Sequence, residues 1–570
     1  MSDEEGKVVP LEPWHRIVGR AQRGVPSVQE LERTPQAVAK LSELDAYGAV
    51  KALGSESAAP LLRWMTPEQR SALFDLESWD GDRLAPAEVL SWLEAFREAG
   101  SPILQEVVSS LDVEFLAGLV ARRLYVASKP SEDTRAHELP DWLANAGDDL
   151  ELIETPDRRF VLAVRPHEPG EEEEGLEEEG RAMVRLVEEL YLHEDHETVI
   201  QVLRTAETDL LSDLEETSFR FRTARLEDLG FPTVERAFEM LEPLGTLDQR
   251  DMTTHDTGRG PIPNLYSQFM TRGRWASTLA EAHLPRLEAR VESEIPVLVQ
   301  ALMVIDRVKP SDFEGVRRCV TTVLGWLDLG LGSESEATGR LETRSIRDLV
   351  RFGFGRTRSP GRRLKGLRSS GSFDWGGTGG LEPPFEEGIK ALLAPRPSLA
   401  GAVLTWPSPG PSPAESRPLL SMRDLDRAEA FVDHVEGWLE AETYMGLRPA
   451  VEALTHPAIL PAAIDERGWR TALATGVCWV ALGQPFSVKP FGSEDLERLA
   501  VRTAASRPEE LQALFDKLAC DWSISRGAAE AIQRELGWGL STVWQQLPAL
   551  ASRGIDVRFV EGLFRIASDP

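Results

Sequence analysis

Cysteine is almost absent from this sequence. The 570 residues include only Cys319, Cys478 and Cys520, and no two of them form a CxxC pair. A disulfide framework needs an even set of cysteines, and a cysteine zinc site needs clustered thiolates. We therefore expect neither, and this cysteine content fits a reducing compartment.

Long apolar runs are also missing. No stretch approaches the roughly 20 uninterrupted apolar residues that cross a bilayer, and the opening residues MSDEEGK lack the apolar core of a signal peptide. The sequence thus predicts a cytoplasmic protein without membrane insertion. Only nine of the 63 basic residues are lysine, and this skew toward arginine suggests a GC-rich bacterial genome.

Positive charge is in short supply. The chain carries 63 basic and 94 acidic residues, a formal net charge of -31. Such a field repels phosphate backbones and anionic lipids, although a local basic patch can still bind either. The composition therefore argues against nucleic acid as the main partner.

The hydrophobic residues that are present, 42% of the chain, suffice for a substantial core. Because 570 residues exceed what one core serves, we expect two to four packed units. The periodicities predict a mainly α fold of stacked short helices and helical hairpins, with one small β-hairpin and a long irregular loop region.

The first half of the chain divides into four predicted segments. A tail (1–26) precedes a short-helix repeat unit (27–140), in which Thr66, Pro67 and Gln69 have the order of a capping box. Residues 141–180 hold the hairpin, whose strands flank the turn at 155–159, and an acidic connector. A helical bundle (181–330) follows. Its first helix has apolar residues at helical spacing: Met183, Leu186, Val187, Leu190 and Tyr191.

The second half divides into two predicted segments. Residues 331–420 are basic and rich in Gly, Ser and Pro, and such composition buries too little apolar area to offset chain entropy, so we expect long loops there. Helical patterns resume in a C-terminal unit (421–570), most clearly over 428–438 and 529–547.

Three stretches resemble an uncharacterised family of large bacterial proteins that is known only as a domain of unknown function. They are ARLEDLGFP (224–232), ALFDLESWD (72–80) and the ending RFVEGL (558–563). The resemblance would span nearly the whole chain and implies no activity. The N-terminal unit, in lines such as LRWMTPEQR (62–70), is also similar to the helical superhelix of magnesium-transporter cytoplasmic domains, from which no metal ligands carry over.

His193 and His196, in the order HEDH, are the best metal candidates, because two histidines three apart on a helix can hold a divalent ion. The pattern favours Asp195 as a helix N-cap over a metal site, and a cap there would place the two histidines on a solvated turn. The HExxH spacing is not met and no third ligand is specified. His255 is the other histidine considered, and no nucleophile accompanies it.

The dense basic run at 351–368 is the strongest candidate for a binding segment in the sequence. Its cations alternate with phenylalanines and glycines: Arg351, Arg356, Arg358, Arg362, Arg363, Lys365 and Arg368. Such a run can grip phosphates and stack bases, or serve as a flexible arm that neutralises an acidic surface of the protein or of a partner. In a chain of this charge the second interpretation is preferred.

No complete GxGxxG, GxxxxGK[ST] or GxSxG motif occurs in the sequence. We therefore predict no catalytic residues and no cofactor. The leading hypothesis is a non-enzymatic cytoplasmic scaffold that binds a protein partner through the basic run. A metal-dependent enzyme or sensor, and nucleic-acid binding through 351–368, remain the alternatives.

Overall fold

In a computed structural model of the chain, the structure describes residues 28–130, 139–145, 150–165, 176–191, 196–247, 263–267, 275–276, 278, 285–369, 385–407, 416–454, 459–460, 468–505 and 525–566. The fold is mainly α, as the sequence predicted.

The α-helices in chain order, α1 to α25, are Val28–Arg33, Glu43–Leu53, Ala59–Leu62, Pro67–Glu77, Pro86–Ala99, Ser101–Ser110, Val113–Arg123, Asp141–Ala144, Leu176–Tyr191, His196–Thr208, Leu211–Asp228, Val234–Met240, Asn264–Ser267, Pro285–Asp306, Phe313–Leu331, Glu334–Thr343, Ile346–Thr357, Ser359–Ser369, Phe385–Leu393, Gly401–Thr405, Met422–Met445, Leu447–Glu452, Trp469–Ala481, Ser493–Ala505 and Arg526–Ser552. The short strands β1 to β9 are Trp79–Asp80, Arg83–Leu84, Leu124–Ser128, Ile153–Glu154, Phe160–Val164, Ser398–Leu399, Arg417–Pro418, Ile459–Leu460 and Arg565–Ile566.

Local sequence signals set several helix starts. The Thr66 hydroxyl accepts from the Gln69 backbone N–H while the Gln69 side chain accepts from the Thr66 backbone N–H, which confirms the predicted capping box. The helix predicted from residue 181 is α9, and its five marked apolar residues are all buried. Their burial is what stabilises a helix of this acidity, since propensity alone gives little in water.

The predicted hairpin is confirmed and is part of a larger sheet. Strands β4 and β5 pair antiparallel around the turn at 155–159, and β3 pairs antiparallel with the other edge of β5. The sequence interpretation missed β3, because Leu124–Ser128 directly follows helix α7 without a breaker. Leu162 lies opposite both Val126 and Ile153 in the register.

The described residues form two compact units, and each has its own core. The first comprises those within Met1–Glu242, Asp248–Leu327 and Ser333–Arg351; the second comprises those within Pro243–Leu247, Asp328–Gly332 and Phe352–Pro570. Among the described residues, no helix has both the length and the apolar character needed to cross a bilayer.

A buried ion network ties the first unit together. The Arg225 guanidinium on α11 donates twice to the Asp75 carboxylate on α4, both at 2.8 Å, and once to Asp112 at 2.8 Å. Asp75 has only 5% of its side chain exposed. One arginine therefore holds the carboxylate of α4 and the residue that precedes α7.

Two long antiparallel helices organise the second unit. Three residues of α21 taken in chain order (His434, Gly437 and Glu440) meet partners of decreasing number in α25 and its N-cap: Glu535, Gly527 and Ser525. A methyl group at Gly437 would lie 2.7 Å from the Gly527 carbonyl oxygen, so glycine permits this close approach. The surrounding core includes Phe385, Phe431, Trp438, Leu473 and Leu536.

The expectation of long loops across 331–420 is wrong for most of that segment. Helices α16, α17, α18 and α19 occupy 334–343, 346–357, 359–369 and 385–393. Buried Ile346, Leu349, Val350 and Phe354 give α17 a helical apolar face that its arginines and glycines obscured. The Gly-rich and Pro-rich runs at 371–380 and 408–413 lie outside the described residues.

Replacing Arg225 with methionine should lower the free energy of unfolding by about 2–3 kcal/mol, because it leaves the Asp75 carboxylate buried without its main counter-charge. We expect less than for a fully buried pair, since 39% of the Arg225 side chain is exposed. Arg317→Met is the matched control, because Arg317 pairs with Glu314 at the surface and should matter far less. Urea denaturation of both variants measures the difference; equal losses would contradict the network's role.

Candidate interaction site

The basic run is helical apart from a turn at Arg358, and it is not a flexible arm. Arg351 and Arg356 lie on α17, Arg358 falls at the turn between α17 and α18, and Arg362, Arg363 and Lys365 lie on α18. Arg368 is also on α18, but its side chain lies outside the described residues. The interpretation of 351–368 as a loop is therefore corrected, while its role in partner binding stays a prediction.

Two glycines fix the run against neighbouring backbone. A methyl group at Gly355 would overlap the carbonyl oxygen of Leu244, and one at Gly361 would overlap the carbonyl oxygen of Leu392. The glycines that suggested flexibility in the sequence thus allow close packing of α17 and α18.

Two of the arginines bond to nearby backbone. Arg351, in the first unit, donates from Nε to the Glu242 carbonyl oxygen at 2.7 Å. Arg356, in the second unit, donates from Nη1 to the Leu329 carbonyl oxygen at 2.8 Å. These guanidinium groups donate hydrogen bonds to carbonyl oxygens near helix ends, so both arginines stabilise the fold of their own units.

Arg363 is held by three carboxylates on one face of α21. Its guanidinium donates to Glu429 at 2.7 Å, to Asp433 at 2.6 Å and to Glu436 at 2.6 Å. Hydrogen bonds to Glu436, Asp433 and Glu429 raise the pKa of Arg363 above its usual value, against the effect of burial. Arg363 therefore joins α18 to α21 and neutralises acidic charge of its own unit.

The remaining described cations line a cleft. Arg358, Arg362 and Lys365 follow at i, i+4 and i+7, a spacing that places them on one side of a helical segment. The cleft encloses about 260 Å³, and apolar residues such as Leu244, Leu392 and Leu393 complete its wall. Among the described residues that line it, none is acidic. We call this feature the cationic cleft.

Arg358 and Arg362 each contact a neighbouring residue of the basic run. The Arg358 guanidinium lies 5.9 Å from the centroid of the Phe354 ring. Arg362 reaches the Gly355 carbonyl oxygen at 3.5 Å, which is long for a hydrogen bond. Arg362 and Lys365 are exposed, so an anion can reach them.

Of the three histidines considered as metal ligands, His196 is the one that lies within the described residues. His196 begins α10 and its Nε2 lies 2.9 Å from the Tyr191 carbonyl oxygen, whereas His193 and His255 lie outside the described residues. Where the chain is described, no group of three or more His, Cys, Asp or Glu side chains is arranged to hold a metal ion.

Sequence reasoning missed a buried polar network in the second unit. His434 Nε2 lies 2.7 Å from Glu535, whose other carboxylate oxygen accepts from Arg470 Nε at 3.1 Å. A signal for it did exist, because His434 falls on the apolar face of α21 beside Phe431, Val435 and Trp438. A histidine at such a position calls for a buried partner.

Gly355→Ala and Gly361→Ala should each lower the free energy of unfolding by about 1–3 kcal/mol, because the added methyl group meets a backbone carbonyl that cannot easily move. Gly366→Ala is the matched control. It lies on the same helix as Gly361 with no atom near its added methyl group, and should raise stability by about 0.5–1 kcal/mol. Thermal or urea unfolding measures all three; a gain at Gly355 or Gly361 would show that the run is loosely packed.

The sequence profile of a family of unknown function, DUF6178, matches residues 29–565. No protein with a curated description and no solved structure matches the chain. The resemblance to magnesium-transporter domains is thus not shown, whereas the resemblance to an uncharacterised family is confirmed. Because the match covers nearly all of the sequence, the chain belongs to the family of unknown function DUF6178.

Proposed function

We propose that the protein is a non-enzymatic interaction protein of the bacterial cytoplasm, and that its cationic cleft binds an acidic segment of a protein partner. The observation that carries the proposal is the composition of the cleft: three cations, no acidic residue among its described lining, and an apolar wall. In a chain of net charge -31, such a local concentration of positive charge favours an acidic partner at this place.

The geometry supports a peptide segment as the occupant. Cations at i, i+4 and i+7 span about two helical turns, roughly 10 Å, which matches a few residues of extended chain. Leu244, Leu392 and Leu393 offer apolar contact beside the charges. Charge supplies orientation and rate of association, and apolar burial supplies affinity.

Nucleic acid fits the same residues less well. Proteins that bind duplex DNA commonly neutralise about 6–10 phosphates along a track. Here Arg351, Arg356 and Arg363 bond to neighbouring groups away from the cleft, and three described cations line it. The negative charge of the whole chain opposes a longer track.

The experiment compares two charge-matched triple variants as bait in native lysate, with captured proteins identified by mass spectrometry. One variant replaces Arg358, Arg362 and Lys365 with glutamine. The control replaces exposed cations of the same unit with glutamine: Arg498, Arg526 and Arg553. We expect the cleft variant to lose a partner that the control and the wild type retain.

A synthetic acidic peptide from that partner should then bind the wild type in fluorescence anisotropy, more weakly as salt rises, because salt screens exposed charges. Equal capture by the cleft variant would contradict the proposal. Capture of nucleic acid, lost on nuclease treatment and on cleft neutralisation, would replace the protein partner with a nucleic acid.

A further inference from the structure

A second and larger cleft lies along the antiparallel pair α21 and α25. It encloses about 520 Å³, within the range of small-molecule sites. One wall comes from the α21 residues Arg423, Arg427 and His434, and the facing wall from Gly527 and Arg534 of α25. Trp406 closes one side.

One member of the polar network described above, His434, lines this cleft. His434 and Glu535 have 1% and 3% of their side chains exposed, and Arg470 binds the same carboxylate. The Trp406 ring lies 4.9 Å from the His434 ring, between centroids. These contacts fix the position of His434 in the wall, so this residue needs little ordering when a ligand arrives.

The charge balance of the cleft is positive. Three guanidinium groups and three carboxylates line it, but two of the carboxylates are engaged outside the set. Asp433 binds Arg363 at 2.6 Å and Glu530 binds Arg526 at 2.9 Å. Asp426 is then the one carboxylate to set against the three arginines.

Two of the three arginines are held in place. Arg427 donates from Nη1 to the Leu404 carbonyl oxygen at 2.9 Å, and the Arg534 guanidinium lies 5.1 Å from the Trp406 ring centroid. Each still has further N–H groups, because a guanidinium carries five donors. Arg423 and Arg534 are exposed at the mouth, where a ligand enters.

We propose that this cleft binds a small molecule through its oxyanion group, a phosphate or a carboxylate, gripped by Arg423, Arg427 and Arg534. Guanidinium groups pair with both anions through two parallel hydrogen bonds, which gives geometric selectivity as well as charge. The site is separate from the cationic cleft, since the two share no lining residue.

Isothermal titration calorimetry of the full chain at constant ionic strength tests this site, with inorganic phosphate in one arm and malonate in the other. We expect at least one of the two anions to bind saturably at one site per chain, and to bind more tightly than chloride does. The double variant Arg423→Gln/Arg534→Gln should weaken it by about tenfold or more, since it removes charged hydrogen bonds. Arg498→Gln, an exposed arginine on α24, should leave it unchanged.

Comparison of the phosphate and malonate titrations identifies the class of ligand, and the variants locate the site. Binding of phosphate alone assigns a phosphate ester, and binding of malonate alone assigns a carboxylate. Absence of saturable binding in both arms would overturn the proposal, as would binding that survives the double variant or disappears with Arg358→Gln/Arg362→Gln. The single variants Arg423→Gln and Arg534→Gln, checked by circular dichroism, keep the test valid if the double variant misfolds.

Discussion

The close approach of two backbone carbonyls to Gly355 and Gly361 is the constraint on which the basic segment depends. The Leu244 and Leu392 oxygens occupy the space that a side chain at these positions would take, so glycine allows the close packing of α17 and α18 there. Arg363 on α18 also forms ion pairs with three carboxylates of α21. The position of α18 in the second unit is therefore fixed both by steric contact at Gly361 and by the ion pairs of Arg363.

This packing divides the cations of the run by what they contact. Arg351, Arg356 and Arg363 compensate carbonyls and carboxylates of their own units. Arg362 and Lys365 on α18, and Arg358 at the turn that precedes it, line the cationic cleft. A rigid helix presents charges at fixed spacing, which a flexible arm does not, and so a partner pays less ordering entropy.

Sequence reasoning succeeded where the determinants are local. The capping box at Thr66, the apolar face of α9 and the turn between β4 and β5 each involve residues a few positions apart. It failed at α17 and α18, because the reason for Gly355 and Gly361 lies at Leu244 and Leu392. His434 was missed for the same reason, since Glu535 is 101 residues away.

Hydrogen–deuterium exchange of the intact protein tests most directly whether the basic segment, from residue 352 onward, is an ordered part of the second unit. We predict slow exchange for amides within 352–366, comparable with α21, because their hydrogen bonds open only with the second unit. Exchange within seconds across that segment, while α21 stays protected, would contradict it and restore the flexible arm that the composition suggested.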